Sequence, residues 1–520
     1  MIKKNKKETL YKKIKENNLL IIFIISLSAF ILKYKGFPRG DSNGQLAVIY
    51  NDANPEYFKN DFYVNAVSGF DVTVWFTELV NLTNSIINNY EITYAILLFI
   101  CMFIFAIGFY KIVFLLTANR NLSIFSIIFP LSVYTGRIGI GNAFEIGNYL
   151  TPTNLAWAIA IWSVYFYLKE RYVISFSLLG FASLFHILLG SLLYGVFFLT
   201  LLLTKNFKAI LLSLSFFILF STVAFPLFLS NLKNSITDAD KIFHIYAEFR
   251  NPWHILPSTW PLIDWLTFLS FFIFFLVIFY RYSKIDKKYK NIFVFFLIVI
   301  LIYYLVGIIF VELLPLLLVA KLQLFRITEF LNIIELIFIS IFFYNYIYSK
   351  LNSKVKIVLV SLVGIFIFAV LISSPLLDRY NYDKDTQELY NFIKKNTPQD
   401  AILLAPPYIE STRLGTFRAV IVDFKSVPFG EKQLVEWHDR LLDITNNKEF
   451  NLQGERKFKL YGEGNIRRYN LLQSGYNTLN EENISLLKKK YNLSYAIFEK
   501  PKILKFTIIF ENEKYVFYSI

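Results

Sequence analysis

Long apolar runs separated by short polar stretches make up most of this chain. A helix needs ~20 apolar residues to cross the hydrocarbon core of a bilayer. Eleven runs meet or approach that length, at 18–35, 93–117, 122–134, 154–168, 173–186, 188–203, 210–229, 264–280, 291–311, 330–348 and 355–376. The fifth and sixth are short and nearly continuous, and could form one bent unit. The stretch 313–320 contains Pro315 and is too short to cross, which suits a broken or re-entrant piece. The first run lacks a small-residue cleavage site and is followed by Lys33 and Lys35, so it reads as a retained helix rather than a signal peptide. Two regions are too polar for lipid: a long first loop at 36–92 and a tail at 378–520. The pattern therefore predicts a transmembrane domain over 1–377 and an α/β domain over 378–520. The fold class is a mostly α, polytopic bundle of about eleven helices with a C-terminal extracytoplasmic α/β domain.

The tail carries local signals of its own. Asp385-Thr386-Gln387-Glu388 fits a capping box opening a helix, with Leu389, Phe392 and Ile393 on one face. Short apolar stretches at 401–404 and 419–422 read as buried strands. A helix is expected over 431–444, with Leu434, Trp437, Leu441 and Leu442 toward a core, and another after Thr478-Leu479-Asn480-Glu481. Strands follow at 495–498, 506–510 and 515–518, the last two as a hairpin. No glycine-rich dinucleotide fingerprint, phosphate-binding loop of the Walker type or nucleophile elbow appears.

Composition agrees with the pattern. Hydrophobic residues make up 56% of the chain and charged residues only 18%, and the mean hydropathy is +0.48. Soluble domains average about 25% charged residues, so an ordinary soluble enzyme, a disordered chain and a disulfide scaffold are excluded. The net charge of +15 raises a nucleic-acid reading, but its distribution removes it. The tail holds 22 basic and 19 acidic residues, so only +3 lies there and +12 in the membrane part. The basic clusters are Lys3, Lys4, Lys6, Lys7, Lys12, Lys13 and Lys15 at the N-terminus, then every second loop, ending with Lys350, Lys354 and Lys356. By the positive-inside rule the N-terminus is cytoplasmic and everything after about residue 377 lies outside. The lone Cys101 sits in an apolar run, and no Cys/His cluster of zinc spacing exists.

Candidate chemistry gathers on the outer side. Asp41 follows the first helix in Phe37-Pro38-Arg39-Gly40-Asp41, with Asp52 and Asp61 further on. A carboxylate at a membrane surface can act as a general base or ligate a divalent cation; a capped turn with solvated acids is the plainer alternative. The stretch 70–82 reads as an interfacial helix. The second outer loop, 135–147, holds four glycines with Arg137 and Glu145, either ligand contacts or a structural ion pair. His186 lies between two apolar runs, where it faces a partner or cavity, or is a satisfied core histidine. Arg250 and His254 sit in a Pro-framed aromatic cluster. Lys321, Gln323 and Arg326 at a span's outer end suit a phosphate at headgroup depth, or snorkelling to ordinary headgroups.

This arrangement resembles the GT-C class of polytopic glycosyltransferases, and a group of bacterial multi-pass proteins of that type. The resemblance lies in the long acidic first loop, the many helices and the outer α/β tail. It also lies in residues similar to that group's recurring ones: Asp41, Arg137, Glu145, His186, Gln323, Arg326, the segment 396–401, Arg413, Arg418, Lys425, Glu436 and Trp437. It implies transfer of a sugar from a polyprenyl-phosphate carrier to a glycan, lipid or protein acceptor on the extracytoplasmic face of a bacterial inner membrane. Asp41 would then be the catalytic base. Arg137, Glu145, His186, Arg250, His254, Lys321 and Arg326 would bind substrate, with no certain cofactor and a divalent cation possible. The chain lacks the adjacent Asp-Glu pair of protein mannosyltransferases and the Trp-Trp-Asp triplet of oligosaccharyltransferases. The competing readings are a transporter or flippase of a lipid-linked substrate, and a non-catalytic membrane scaffold. The scaffold reading predicts that Asp41, Arg137 and Arg326 do not converge.

Overall fold

The computed structural model describes residues 2–67, 72–132, 140–141, 147–234, 238–373, 382–446 and 464–520. Within them all eleven apolar runs fall on helix. Helix is the expected outcome in lipid, because it satisfies every backbone polar group within one segment. Among the described residues, five helices are each long and apolar enough to cross a membrane: Tyr90–Thr117, Leu262–Tyr282, Lys287–Leu313, Leu317–Lys350 and Ser353–Val370. A further pair, Phe207–Ser213 with Phe216–Leu229, is bent by 44° and is apolar enough for a broken span or a re-entrant loop. The chain is a multi-pass membrane protein.

The remaining runs form shorter helices, because a hydropathy run records polarity and not where the backbone turns. The run at 122–134 is split into Arg120–Ser126 and Ile128–Ser132. The runs on either side of His186 are separate helices, Tyr172–Phe185 and Ile187–Leu203, not one bent unit. Phe176 packs on Tyr194 at 5.6 Å and on Phe197 at 6.3 Å, so the two helices run antiparallel about a sharp turn at His186. Gly190 permits this, since a Cβ there would lie 2.0 Å from Ser183 Oγ and 2.7 Å from the Leu179 carbonyl. Small residues at such crossings let helices approach where water supplies no hydrophobic drive.

The segment Leu317–Lys350 is the most buried of the five spans. Its residues from Thr328 to Ile341 are almost all enclosed, including Glu329, Asn332 and Glu335. Trp157 Nε1 donates to Glu329 at 2.6 Å and ties this helix to Pro152–Leu168. By contrast Ile357, Leu362 and Phe366 on the last apolar helix are exposed, as suits a lipid-facing surface.

The first loop is helical rather than open, with helices Ser42–Ala53, Phe62–Val67 and Val74–Ile87. Residues 70 and 71 of the expected interfacial helix lie outside the described residues. The C-terminal part holds a five-stranded sheet of order β2-β1-β3-β5-β4, with β1 at Ile402–Leu404, β2 at Ala419–Val420, β3 at Tyr495–Glu499, β4 at Thr507–Glu511 and β5 at Tyr515–Ser519. β2, β1 and β3 are parallel, and β3, β5 and β4 antiparallel. Helix Lys384–Asn396 is capped by Asp383, whose Oδ1 accepts from the Thr386 amide at 3.0 Å, not by Asp385. Helix Glu481–Tyr491 is capped by Asn480 and not by Thr478.

One core joins this sheet to the membrane part. Leu404, Ala496 and Val516 from the sheet pack with Trp437 and Leu441, and with Ile242, Ile245, Phe249 and Phe62 from the preceding loops. Arg413, 1% exposed, binds Asp61 of the first loop at 2.8 Å and also Asp423. Asp61 accepts further hydrogen bonds from the Val64 and Val420 amides, both at 3.1 Å, and so serves as a clamp. The clamp fixes Asp423, two residues before Lys425.

Candidate functional site

Asp41 stands where the first loop turns into helix Ser42–Ala53. Gly40 makes that turn at φ +57°, and a Cβ there would lie 2.7 Å from the Tyr149 hydroxyl. Asp41 occupies the N-cap position, yet its side chain makes no capping bond. Its Oδ1 lies 3.1 Å from Lys425 Nζ instead. The carboxylate is ringed by protein charges but open on one side, with 49% of the side chain accessible. Lys425 above all, then Arg250 and Arg326, hold its pKa below the usual carboxylate value, against the opposing effect of burial.

Three further segments bring the cations. Gln323 adopts a left-handed conformation, φ +47°, between helices Leu317–Leu322 and Thr328–Tyr346, and this turn brings Arg326 to the head of the central span. Arg326 Nη1 lies 3.0 Å from His186 Nε2, and Nη2 lies 3.4 Å from His254 Nε2. Gln323 Nε2 donates to the Tyr246 hydroxyl at 2.7 Å. Arg250 ends a π-helical turn, His244–Arg250, with its guanidinium over the Trp253 ring at 5.5 Å and the Phe424 ring at 5.2 Å. Its Nη2 donates to the Lys425 carbonyl at 3.2 Å.

The histidine hydrogen bonds fix their roles. His254 Nδ1 faces the Gly141 carbonyl at 2.7 Å, so that nitrogen carries the proton and Nε2 accepts from Arg326. Burial, then the Arg326 charge, holds His254 well below its usual pKa, so it is neutral at physiological pH. His186 meets two donors, the Leu189 amide at 3.1 Å on Nδ1 and Arg326 on Nε2. A neutral imidazole has one acceptor nitrogen, so one of these contacts sets donor against donor. Arg326 Nε is buried and makes no hydrogen bond among the described residues.

The structure thus gathers Asp41, His186, Arg250, His254 and Arg326, five of the expected site residues, at one end of the bundle. Arg137 and Glu145 lie outside the described residues; Gly141 of their loop reaches the site through His254. Lys321 pairs with Glu431 on helix Glu431–Ile444. Asp61 belongs to the clamp, and Asp52 is exposed on the first loop. The sequence marked Lys425 only through the resemblance, with no role, and did not mark Tyr246; their places in the cluster arise from contacts far apart along the chain. Among the described residues, no three His, Cys, Asp or Glu side chains gather in a metal-binding group. One carboxylate facing two guanidinium groups and an ammonium is a donor set for an anion, since those charges repel a divalent cation.

Residues 384–444 match a family described as a domain of unknown function (DUF6798). No curated protein matches the chain. Among solved structures, the chain is similar to the oligosaccharyltransferase of Archaeoglobus fulgidus, crystallised with a tethered acceptor peptide containing the NVT sequon. The identity is 11% and the TM-score 0.48, over 93% of this chain and 68% of that one.

Proposed function

We propose that this protein is a membrane glycosyltransferase of the GT-C type, moving a sugar from a polyprenyl-phosphate carrier to an acceptor on the extracytoplasmic face. The observation that carries the reading is the meeting of one ionised carboxylate with Arg250, Arg326, Lys425 and a neutral His254. Asp41 takes the proton of the acceptor's nucleophile as that atom bonds to the anomeric carbon. The sugar–phosphate bond breaks, and the lipid phosphate leaves with the electron pair. Arg326 and Arg250 hold its charge, with donors fixed in advance by the histidines and the aromatic rings. Arg137 and Glu145 lie outside the described residues and keep the substrate-binding role that the resemblance implies. Lys321, through Glu431, holds the C-terminal unit over it. The basic loops support a cytoplasmic N-terminus, in a chain we assign to a bacterial inner membrane.

Binding of a polyprenyl phosphate to the purified protein tests the anion pocket. Arg326→Gln removes a charge-assisted contact of ~1.5–3 kcal/mol, about ten- to a hundredfold in affinity. Asp41→Asn removes a negative charge and leaves binding equal or tighter. Affinity unaffected by Arg326→Gln contradicts the assignment.

A further inference from the structure

Lys425 is fixed at its backbone, and its tip is held by an ion pair with Asp41. Its amide donates to Asp423 Oδ1 at 2.9 Å, and the Ser426 amide donates to the same oxygen at 2.6 Å. Its carbonyl accepts from Arg250. Asp423 is in turn gripped by the buried Arg413. The side chain beyond this anchor is 30% exposed, and its ammonium reaches the accessible Asp41 carboxylate. Glu410 and Tyr149 also favour the charged ammonium electrostatically, and Arg250 opposes it.

This contact sets two requirements of the proposed site against each other. A carboxylate paired with an ammonium offers fewer free lone pairs to an acceptor, and is a weaker base than an unpaired one. A phosphate or diphosphate seated by Arg250 and Arg326 presents more negative charge to the same ammonium than one carboxylate does. Coulombic attraction scales with that charge. The four-carbon stem of lysine lets the ammonium move between partners while its backbone stays in place.

We propose that Lys425 is a donor-sensing arm: it leaves Asp41 when a phosphate or diphosphate group enters between Arg250 and Arg326, so that Asp41 becomes available to the acceptor only after the donor has bound. This rests on the reading of the cluster as the transfer site and adds an order of binding to it.

Zero-length carbodiimide coupling of the full-length protein, read by peptide mass spectrometry, tests the arm. The reagent joins a carboxylate to an amine in contact with it. The Asp41–Lys425 cross-link forms without ligand. With saturating inorganic pyrophosphate as the probe it falls by about tenfold, as expected for a two-state contact strongly biased by the ligand. The Lys490–Asp443 pair, 2.6 Å apart on the C-terminal surface, couples equally with and without pyrophosphate and corrects for reagent consumption. In Arg326→Gln the Asp41–Lys425 yield no longer responds. Pyrophosphate that binds in equilibrium dialysis yet leaves the Asp41–Lys425 yield unchanged overturns the arm alone. A yield that still falls in Arg326→Gln also overturns it. Wild-type protein that does not bind pyrophosphate overturns the anion pocket and the arm together.

Discussion

Asp41 is a carboxylate that its neighbours keep charged. Because its pKa is lowered, the acid limb of a reaction needing the basic form lies at lower pH than an unshifted carboxylate would give. Lys425 is the largest cause, so Lys425→Gln moves the acid limb of kcat/KM to higher pH. A limb that does not move shows that Asp41 is not the titrating group. His254 contributes no limb near neutrality, since it is held neutral well below its usual pKa. Asp41, His186 and Arg326 were legible in the sequence because each sits where an apolar run stops, and a polar group at that depth needs a partner. Lys425 carried no such mark, because it follows a short strand in a segment of balanced charge. Its contact with Asp41 exists only through the fold.

At the scale of elements, hydropathy located the helices but not their turns. The turn at His186 depends on Gly190 fitting against Leu179 and Ser183, a steric fact invisible to a polarity scale. Capping chemistry was read correctly in kind but displaced in position: Asp383 caps where Asp385 was expected, because its oxygen reaches the Thr386 amide. The strands and the hairpin of the C-terminal part follow their apolar stretches closely, since period and turn residues are local signals. The Asp61–Arg413–Asp423 clamp was not legible, for it joins the first loop to the C-terminal part. Arg413→Met leaves two buried carboxylates without their cation, at a cost of about 3–5 kcal/mol. The expected result is a lower unfolding midpoint in detergent together with faster proteolysis of the first loop. Unchanged cleavage there shows that the clamp does not hold the loop.

At the scale of the molecule, the site end and the basic loops lie at opposite ends of the bundle, as the proposed orientation requires. In a Cys101→Ser background, Lys489→Cys is expected to react with an impermeant thiol reagent on intact cells, and Lys208→Cys only after permeabilisation. Both side chains are exposed, so the reverse pattern inverts the topology. The shared core around Trp437 and Phe249 makes the C-terminal part a wall of the site rather than an appendage, which is why Lys425 reaches Asp41. The central claim is that Asp41 acts as a base beside an anion pocket. Its most direct test is sugar transfer from a polyprenyl-phosphate donor in proteoliposomes, comparing wild type with Asp41→Asn in preparations that bind the lipid phosphate equally well. The expected result is transfer by the wild type and a loss of about 10²–10⁴-fold in the variant. Full transfer by Asp41→Asn, or movement of the lipid across the bilayer with no transfer by either protein, would contradict it.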